Sequence, residues 1–347
     1  MQEISLNRCD KCGSEAKVHL PYGPHRLCAQ HFNEFFEHRV RKTMRTNRMV
    51  KYGEKVAVGV SGGKDSMVTL HMLNKVFGET WQNRIEAIMI DEGIRGYRDK
   101  AIEIAEEYCT AHSIPYNVVS MEDELGISTE QAMRRIHEAQ GSMGATCSYC
   151  GVFRRQMLNR TARETGAQKL ATGHNMDDEV QSIAMNVFSG DFTRLARIGE
   201  VAGGVKSAKL VPRIKPLYET PEKDIIAYAA LNGIRHYSDE CCPYSWMAKR
   251  NMYRKTLNDL ENAVPGTKHS ILASFRKLKP ALRMLESNRS SAITECAQCG
   301  EASNSGTCAS CRQMEKLMEM RGNKAPIRPK ILKKDGALTC SQTKSVG

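Results

Sequence analysis

The segment 55–76 constrains the fold more than any other. Residues 55–60, Lys-Val-Ala-Val-Gly-Val, form a short β-branched apolar run that reads as a buried strand ending at Val60. Ser61, Gly62 and Gly63 follow as a turn. From Asp65 onward Met67, Leu70, Met72, Leu73 and Val76 recur at helical spacing. The pattern then repeats. Strands are predicted over 85–90, 115–120 and 168–172. Helices are predicted over 97–113, with Ile102, Ala105 and Cys109 on one side, and over 176–188. Strands that alternate with helices predict an α/β fold, a doubly wound parallel sheet covered on both faces. Residues 221–282 read as mostly helical, interrupted at Pro265-Gly266.

Composition narrows the function classes. The 347 residues suffice for about two domains with small appended modules. No run of 18 apolar residues occurs, which excludes a transmembrane helix. The opening MQEISLNRCDKCG has no apolar signal core, so a cytoplasmic protein with no membrane partner is expected. Lys and Arg number 51 against 39 acids, a net +12 that favours a polyanionic partner, nucleic acid first. Thirteen cysteines without an export signal point to metal or redox chemistry rather than disulfides.

The cysteines fall into groups. Cys296, Cys299, Cys308 and Cys311 make two Cys-x-x-Cys knuckles, the donor set of one closed tetrahedral zinc site. Cys9, Cys12, Cys28 and His31 make a second, Cys3His set, with Gly13 at its knuckle. The bland readings are unrelated loop cysteines and a surface histidine at 31. Cys147-x-x-Cys150 is open on spacing alone: zinc, redox or iron–sulfur. Cys109, in a helix among apolar residues, reads as core. The chain divides into an N-terminal zinc module (1–38), a basic linker helix (39–54), an α/β domain (55–220), its helical continuation (221–290), a C-terminal zinc module (291–315) and a basic, partly disordered tail (316–347).

Ser61-Gly62-Gly63-Lys64-Asp65-Ser66 carries the chemistry of a phosphate site. Two glycines let backbone amides approach an anion, the helix N-terminus adds positive charge, and Ser61, Ser66 and Lys64 supply hydroxyls and a cation. Asp65 after Lys64 excludes a Walker A loop.

This loop resembles the PP-loop of the ATP pyrophosphatase superfamily, whose members adenylate a substrate and release pyrophosphate. Residues 173–178, Gly-His-Asn-Met-Asp-Asp, resemble its second nucleotide-side motif. Residues 147–155, Cys-Ser-Tyr-Cys-Gly-Val-Phe-Arg-Arg, together with the terminal modules, resemble the tRNA 2-thiouridine synthetases of the TtuA and NcsA type over residues 5–315. The resemblance implies ATP binding by residues 60–66 and Gly173. It implies a triphosphate role for Asp178 through Mg²⁺, and a third catalytic cysteine at Cys242, in Cys242-Pro-Tyr244. Cys241 is an extra neighbour that competes for that assignment. Three thiolates suit a [4Fe–4S] cluster with one open iron; the alternative is a persulfide on one cysteine and a disulfide with a second. Arg154 stands where a lysine is usual in the TtuA type. It cannot act as a base, so it is expected to stabilise phosphate charge.

The implied activity is ATP-dependent tRNA 2-thiolation, with sulfur from a ubiquitin-like thiocarboxylate carrier or free sulfide, and a homodimer is possible. Eighteen Met, thirteen Cys and the Arg154-Arg155 pair favour the wobble uridine over a T-loop base. The rivals are an amide-forming adenylating ligase and a non-catalytic zinc RNA-binding protein. For the tRNA, residues 39–55 carry Arg39, Arg41, Lys42, Arg45, Arg48, Lys51 and Lys55 against Glu54, and residues 321–347 add a second basic run. With little aromatic interleaving, the first run is expected to track phosphates rather than stack on bases.

Overall fold

The structure, a computed structural model, describes residues 7–23, 25–78, 84–140, 146–202, 207–238, 242, 244, 248–287 and 293–320. A hairpin of β1 (Val18–Leu20) and β2 (His25–Leu27) leads into the long helix α1 (Ala29–Thr46). The α/β body runs β3 (Lys55–Gly59), α2 (Lys64–Leu73), β4 (Arg84–Asp91), α3 (Arg98–Ala111), β5 (Tyr116–Ser120), α4 (Met121–Leu125), α5 (Thr129–Gln140), α6 (Thr146–Glu164), β6 (Lys169–Thr172) and α7 (Met176–Phe188). It continues with α8 (Phe192–Arg197), β7 (Val201–Ala202), β8 (Arg213–Ile214), α9 (Glu222–Leu231), α10 (Arg250–Ala263) and α11 (Thr267–Ser287). A second hairpin, β9 (Thr294–Glu295) with β10 (Ala302–Ser303), precedes α12 (Ala309–Glu319).

The main sheet has the order β5-β4-β3-β6-β8-β7, parallel throughout except for the edge strand β7. Alternation within each strand divides the core. Val56, Val58, Ile85, Ala87 and Met89 face one side, where α1, α2, α3 and α9 cover them. Ala57, Ile88, Ile90 and Leu170 face the other, under α4, α5, α6 and α12. A third cluster, with Met176, Tyr218, Leu257 and Phe275, joins α7, α8, α10 and α11.

The strands and helices expected from the apolar pattern lie within about three residues of these bounds, and 176–188 coincides with α7. The expected end of the second helix is displaced. α2 stops at Leu73 and the chain continues as one π-turn, Asn74–Gly78. Helices α4, α5 and α6 and the two-residue strands β7 and β8 were not anticipated. In the region 221–282, residues 232–238 after α9 are non-helical, besides the break at Pro265-Gly266.

The boundary expected between 38 and 39 falls inside α1, so residues 39–46 are no linker. Phe32, Phe36, Val40 and Met44 recur at helical spacing and bury that face of α1 in the main core. Phe36 stacks on Tyr228 of α9 with ring centroids 4.1 Å apart. The expected boundary at 315/316 falls inside α12 for the same reason: Met314 and Leu317 are buried beneath the sheet. The basic tail beyond 320 lies outside the described residues. Phe36→Ala is expected to cost about 3–5 kcal/mol, the usual penalty for removing a fully buried aromatic ring, read by urea denaturation of the zinc-loaded chain.

Candidate functional site

Both terminal clusters assemble as expected. Cys9, Cys12, Cys28 and His31 bring their ligand atoms within 4.8 Å of one another, and so do Cys296, Cys299, Cys308 and Cys311. A tetrahedral zinc with bonds of ~2.3 Å to sulfur has ligand–ligand edges of about 3.8 Å. The sulfur pairs Cys12–Cys28, Cys296–Cys311 and Cys299–Cys308 stand at 3.9, 3.8 and 3.6 Å. His31 Nδ1 is 3.5 Å from Cys9 and 3.3 Å from Cys28, shorter as a nitrogen ligand requires. The residues fit zinc in both modules. Each module places a ligand at a helix start: Cys28 precedes α1 and Cys308 precedes α12. The metal site therefore fixes the end of a helix whose other turns lie in the core.

The nucleotide loop lies at the carboxyl end of β3, next to that of β6, where crossovers diverge to opposite faces and ligands bind in such sheets. Gly62 has φ +77, and a Cβ there would stand 2.2 Å from the Ala101 carbonyl oxygen. A Cβ at Gly173 would stand 2.8 Å from the Asp65 carbonyl carbon and the Ser66 nitrogen. Two motifs 110 residues apart thus meet backbone to backbone. Asn175 fastens them by donating to Asp65 at 3.1 Å. Gly63 caps α2 without any side-chain acceptor, which leaves the first amides of that helix for an anion. Ser61 and Ser66 hydroxyls lie 3.1 Å apart at the same mouth.

Charges around the loop are pre-paired. Lys64 binds Glu222 at 2.6 Å and Asp65 at 3.2 Å. Burial disfavours its charge, but these two carboxylates outweigh that and hold its pKa above the usual lysine value. Burial raises the Asp65 pKa, and the nearby Asp178 and Glu222 carboxylates add to the rise. Asp178 closes a capping box with Asn175 at the start of α7 and accepts from Arg250 at 3.1 Å. Asp65 and Asp178 are hard oxygen donors beside a phosphate site, a set that fits Mg²⁺.

Cys147 and Cys150 lie one turn apart at the start of α6 and so share a face. Cys242 comes to them from the stretch after α9. That stretch is anchored on the nucleotide loop, where the Tyr237 amide donates to the Gly62 carbonyl at 2.8 Å. Cys147 Sγ lies 3.6 Å from the Tyr244 carbonyl oxygen. Burial pushes the Cys242 thiol up to about 11, with the Cys150 and Cys147 sulfurs adding. Burial also raises Cys150, opposed by Arg154 and assisted by Glu92. The Cys147 and Cys150 sulfurs are near enough to act on the Cys242 thiol, and three convergent thiolates are a donor set that suits an iron–sulfur cluster with one open iron. Cys241 lies outside the described residues. Cys109, on the buried face of α3, packs in the core, as expected.

The cleft is cationic. Arg213, Arg154 and Arg194 raise the positive potential at Arg155, and burial, with Lys215, Arg250, Arg154 and Arg213, holds His174 neutral. Arg154 is half exposed and pairs with Glu92 at 3.3 Å.

A family model described as the PP-loop domain matches residues 30–261. The tRNA 2-thiolation protein NcsA of Haloferax volcanii is 36% identical over 321 residues, covering 89% of this chain and 98% of its own. The chain belongs to the PP-loop tRNA-thiolation family. Within that family, the tRNA-5-methyluridine(54) 2-sulfurtransferase of Pyrococcus horikoshii is 32% identical across 88% of this chain and 93% of its own. The solved U34-tRNA thiolase NcsA from Methanococcus maripaludis, described with its [4Fe–4S] cluster, matches with a TM-score of 0.76 at 32% identity. That match covers 90% of this chain and 97% of that one.

Several site residues escaped the sequence reading: Asn175, Glu222 and Arg250, and the buried pair Glu92 and Arg98. Glu92 follows the run 85–90 after Asp91 alone, and a charged residue at the carboxyl end of a parallel strand is the signal that could have found it. Not every member of the basic run 39–55 is free for RNA. Arg39 bonds Asp224 at 2.6 Å and Tyr22 at 2.7 Å, and Lys55 pairs with Glu86 at 2.5 Å. Arg41, Lys42, Arg45, Arg48 and Lys51 remain exposed. Gly173→Ala is expected to weaken ATP binding by about tenfold or more, because the added Cβ must push the Asp65–Ser66 backbone out of its anion-cradling position, and to lower the thermal unfolding midpoint as well. Calorimetric titration with ATP checks it.

Proposed function

We propose that this chain is a cytoplasmic, ATP-dependent tRNA-uridine 2-sulfurtransferase acting on the wobble uridine. One observation carries the reading: Tyr237, whose amide bonds the Gly62 carbonyl of the nucleotide loop, lies five residues before Cys242, whose thiol feels the Cys147 and Cys150 sulfurs. A ligase that forms amides has no use for those thiols, and a non-catalytic RNA-binding protein has none for the loop.

The α2 amides, the Ser61 and Ser66 hydroxyls and Lys64 would hold the triphosphate. Phosphate oxygens compete with Glu222 for Lys64. Asp178 and Asp65 would hold Mg²⁺, which neutralises phosphate charge when bound. The uridine O2 attacks the α-phosphorus; the new P–O bond forms as the bond to the β-phosphate oxygen breaks, and pyrophosphate leaves. Adenylation turns O2 into a good leaving group. Sulfide then adds to C2, and AMP departs with O2. Cys147, Cys150 and Cys242 would hold a [4Fe–4S] cluster, which supplies an iron with an open position for sulfide. Arg154, which pairs with Glu92 and acts on Cys150, would steady negative charge on the departing AMP. The sulfur donor is a thiocarboxylate carrier protein or free sulfide.

Tests follow directly. Turnover should yield AMP and pyrophosphate, and Lys64→Ala should abolish both with the fold intact; ADP as product overturns the assignment. Replacing Cys147, Cys150 or Cys242 by Ala should remove iron and 2-thiouridine together, whereas Cys241→Ala should be mild. Nucleoside mass analysis of tRNA from a deletion strain should show the loss at the anticodon; a loss confined to the T-loop refutes the wobble assignment. Changing Arg41, Lys42 and Arg45 to Ala should reduce the salt slope of tRNA binding by about 0.7–0.9 for each phosphate contact removed.

A further inference from the structure

Between the nucleotide loop and the cysteine helix lies one carboxylate. Glu92 follows the last residue of β4, and its side chain is only 4% exposed. One oxygen pairs with Arg98 Nε at 2.6 Å; the other accepts from Arg154 Nη1 at 3.3 Å. Its backbone carbonyl accepts from the Thr129 amide at 2.8 Å, which ties it to the start of α5. Arg98, equally buried, donates to the carbonyls of Ile90 and Ser61, each at 2.6 Å. Ser61 opens the nucleotide loop. Arg154 stands one turn beyond Cys150 on α6.

A continuous polar chain therefore runs from the Ser61 carbonyl through Arg98, Glu92 and Arg154 to the cysteine helix. A buried carboxylate with two guanidinium partners is held more rigidly than either partner alone, because losing one contact leaves a charge unpaired in a dry setting. No other described ion pair joins the loop to α6. The partners differ in their freedom. Arg98 is buried and is held in its pocket by Glu92 and the two carbonyls together. Arg154 is half exposed and can turn toward an anion in the cleft. Movement of the loop at Ser61 displaces Arg98, and with it the carboxylate that Arg154 grips.

We propose that Glu92 is a positioning residue that couples nucleotide occupancy of the loop to the geometry of the cysteine site. This rests on the functional reading above, in that the loop takes ATP and the cysteines take part in sulfur transfer. Nucleotide at the loop would shift the Arg154–Glu92 contact, and so the first turns of α6. Cys150 then differs in access between the empty and the occupied protein. Such coupling orders the reaction, since the sulfur site changes state only with ATP in place.

The test uses the full chain with both zinc modules intact and the central cysteines free of iron. Alkylation of Cys150 by iodoacetamide is followed by mass spectrometry, with and without a non-hydrolysable ATP analogue whose binding is measured in parallel. In the parent chain the analogue should change the Cys150 rate by about fivefold or more, the low end of ordinary coupling between sites. In Glu92→Gln that ratio should collapse toward one while analogue affinity falls less. Glu92→Asp, which keeps the charge, should restore part of it. Arg154→Gln breaks the chain from its exposed end and should abolish the ratio without unfolding the buried Arg98 pair. A ratio kept in both Glu92→Gln and Arg154→Gln overturns the coupling, as does a parent ratio of one with analogue bound. Failure of the parent to bind the analogue overturns the functional reading itself.

Discussion

The position of β3 between β4 and β6 governs the site. Crossovers from β3 to β4 and from β4 to β5 run over one face of the sheet, through α2 and α3. The crossover from β5 to β6 runs over the other, through α4, α5 and α6. The helices part at β3 and β6, and a crevice opens at the strands' carboxyl ends. Only there can Gly62 and Gly173 bring two backbones so close, and only there do the starts of α2 and α7 face one pocket. Every other site group reaches the crevice from a helix or loop laid against those strands.

The same crevice has to hold strongly opposed charges without nucleotide. Cations around the crevice are paired with carboxylates: Lys64 with Glu222, Arg250 with Asp178, Lys215 with Glu179. An anionic substrate therefore exchanges one set of ion pairs for another rather than meeting bare charge, which moderates the desolvation cost. The terminal modules solve a different difficulty. Each is too small for a core of its own, and the metal fixes the first turn of a helix that the body then buries.

How legible this was in the sequence depended on local signals. Strands β3, β4 and β6 were visible because their runs are mainly apolar and buried on both faces, Glu86 aside, whereas β5 is only half-buried and carries the polar Asn117. α6 was not, because Cys147, Tyr149, Cys150 and Phe153 mix with Arg154, Arg155 and Gln156 and give no clean apolar stripe. β7 and β8, two residues each, carry no period at all. The zinc ligands and the nucleotide loop were fixed by spacing. Charge runs misled at Arg39 and Lys55, whose partners Asp224 and Glu86 are remote in sequence. Glu222 was invisible for the same reason: a carboxylate acquires meaning only when the fold delivers its cation.

The Tyr22–Arg39–Asp224 contact carries a consequence for synthesis. Arg39 and its acceptor are separated by 185 residues. At ~5–20 residues per second, the ribosome exposes α1 roughly 10–40 seconds before α9 can meet it. Through that interval the buried face of α1, with Phe32, Phe36 and Val40, has no α9 to cover it. Early zinc capture at Cys9, Cys12, Cys28 and His31 holds the nascent N-terminus in register while the rest of the chain emerges. Zinc supply during translation thus bears on the yield of folded protein, separately from any part the metal plays afterwards.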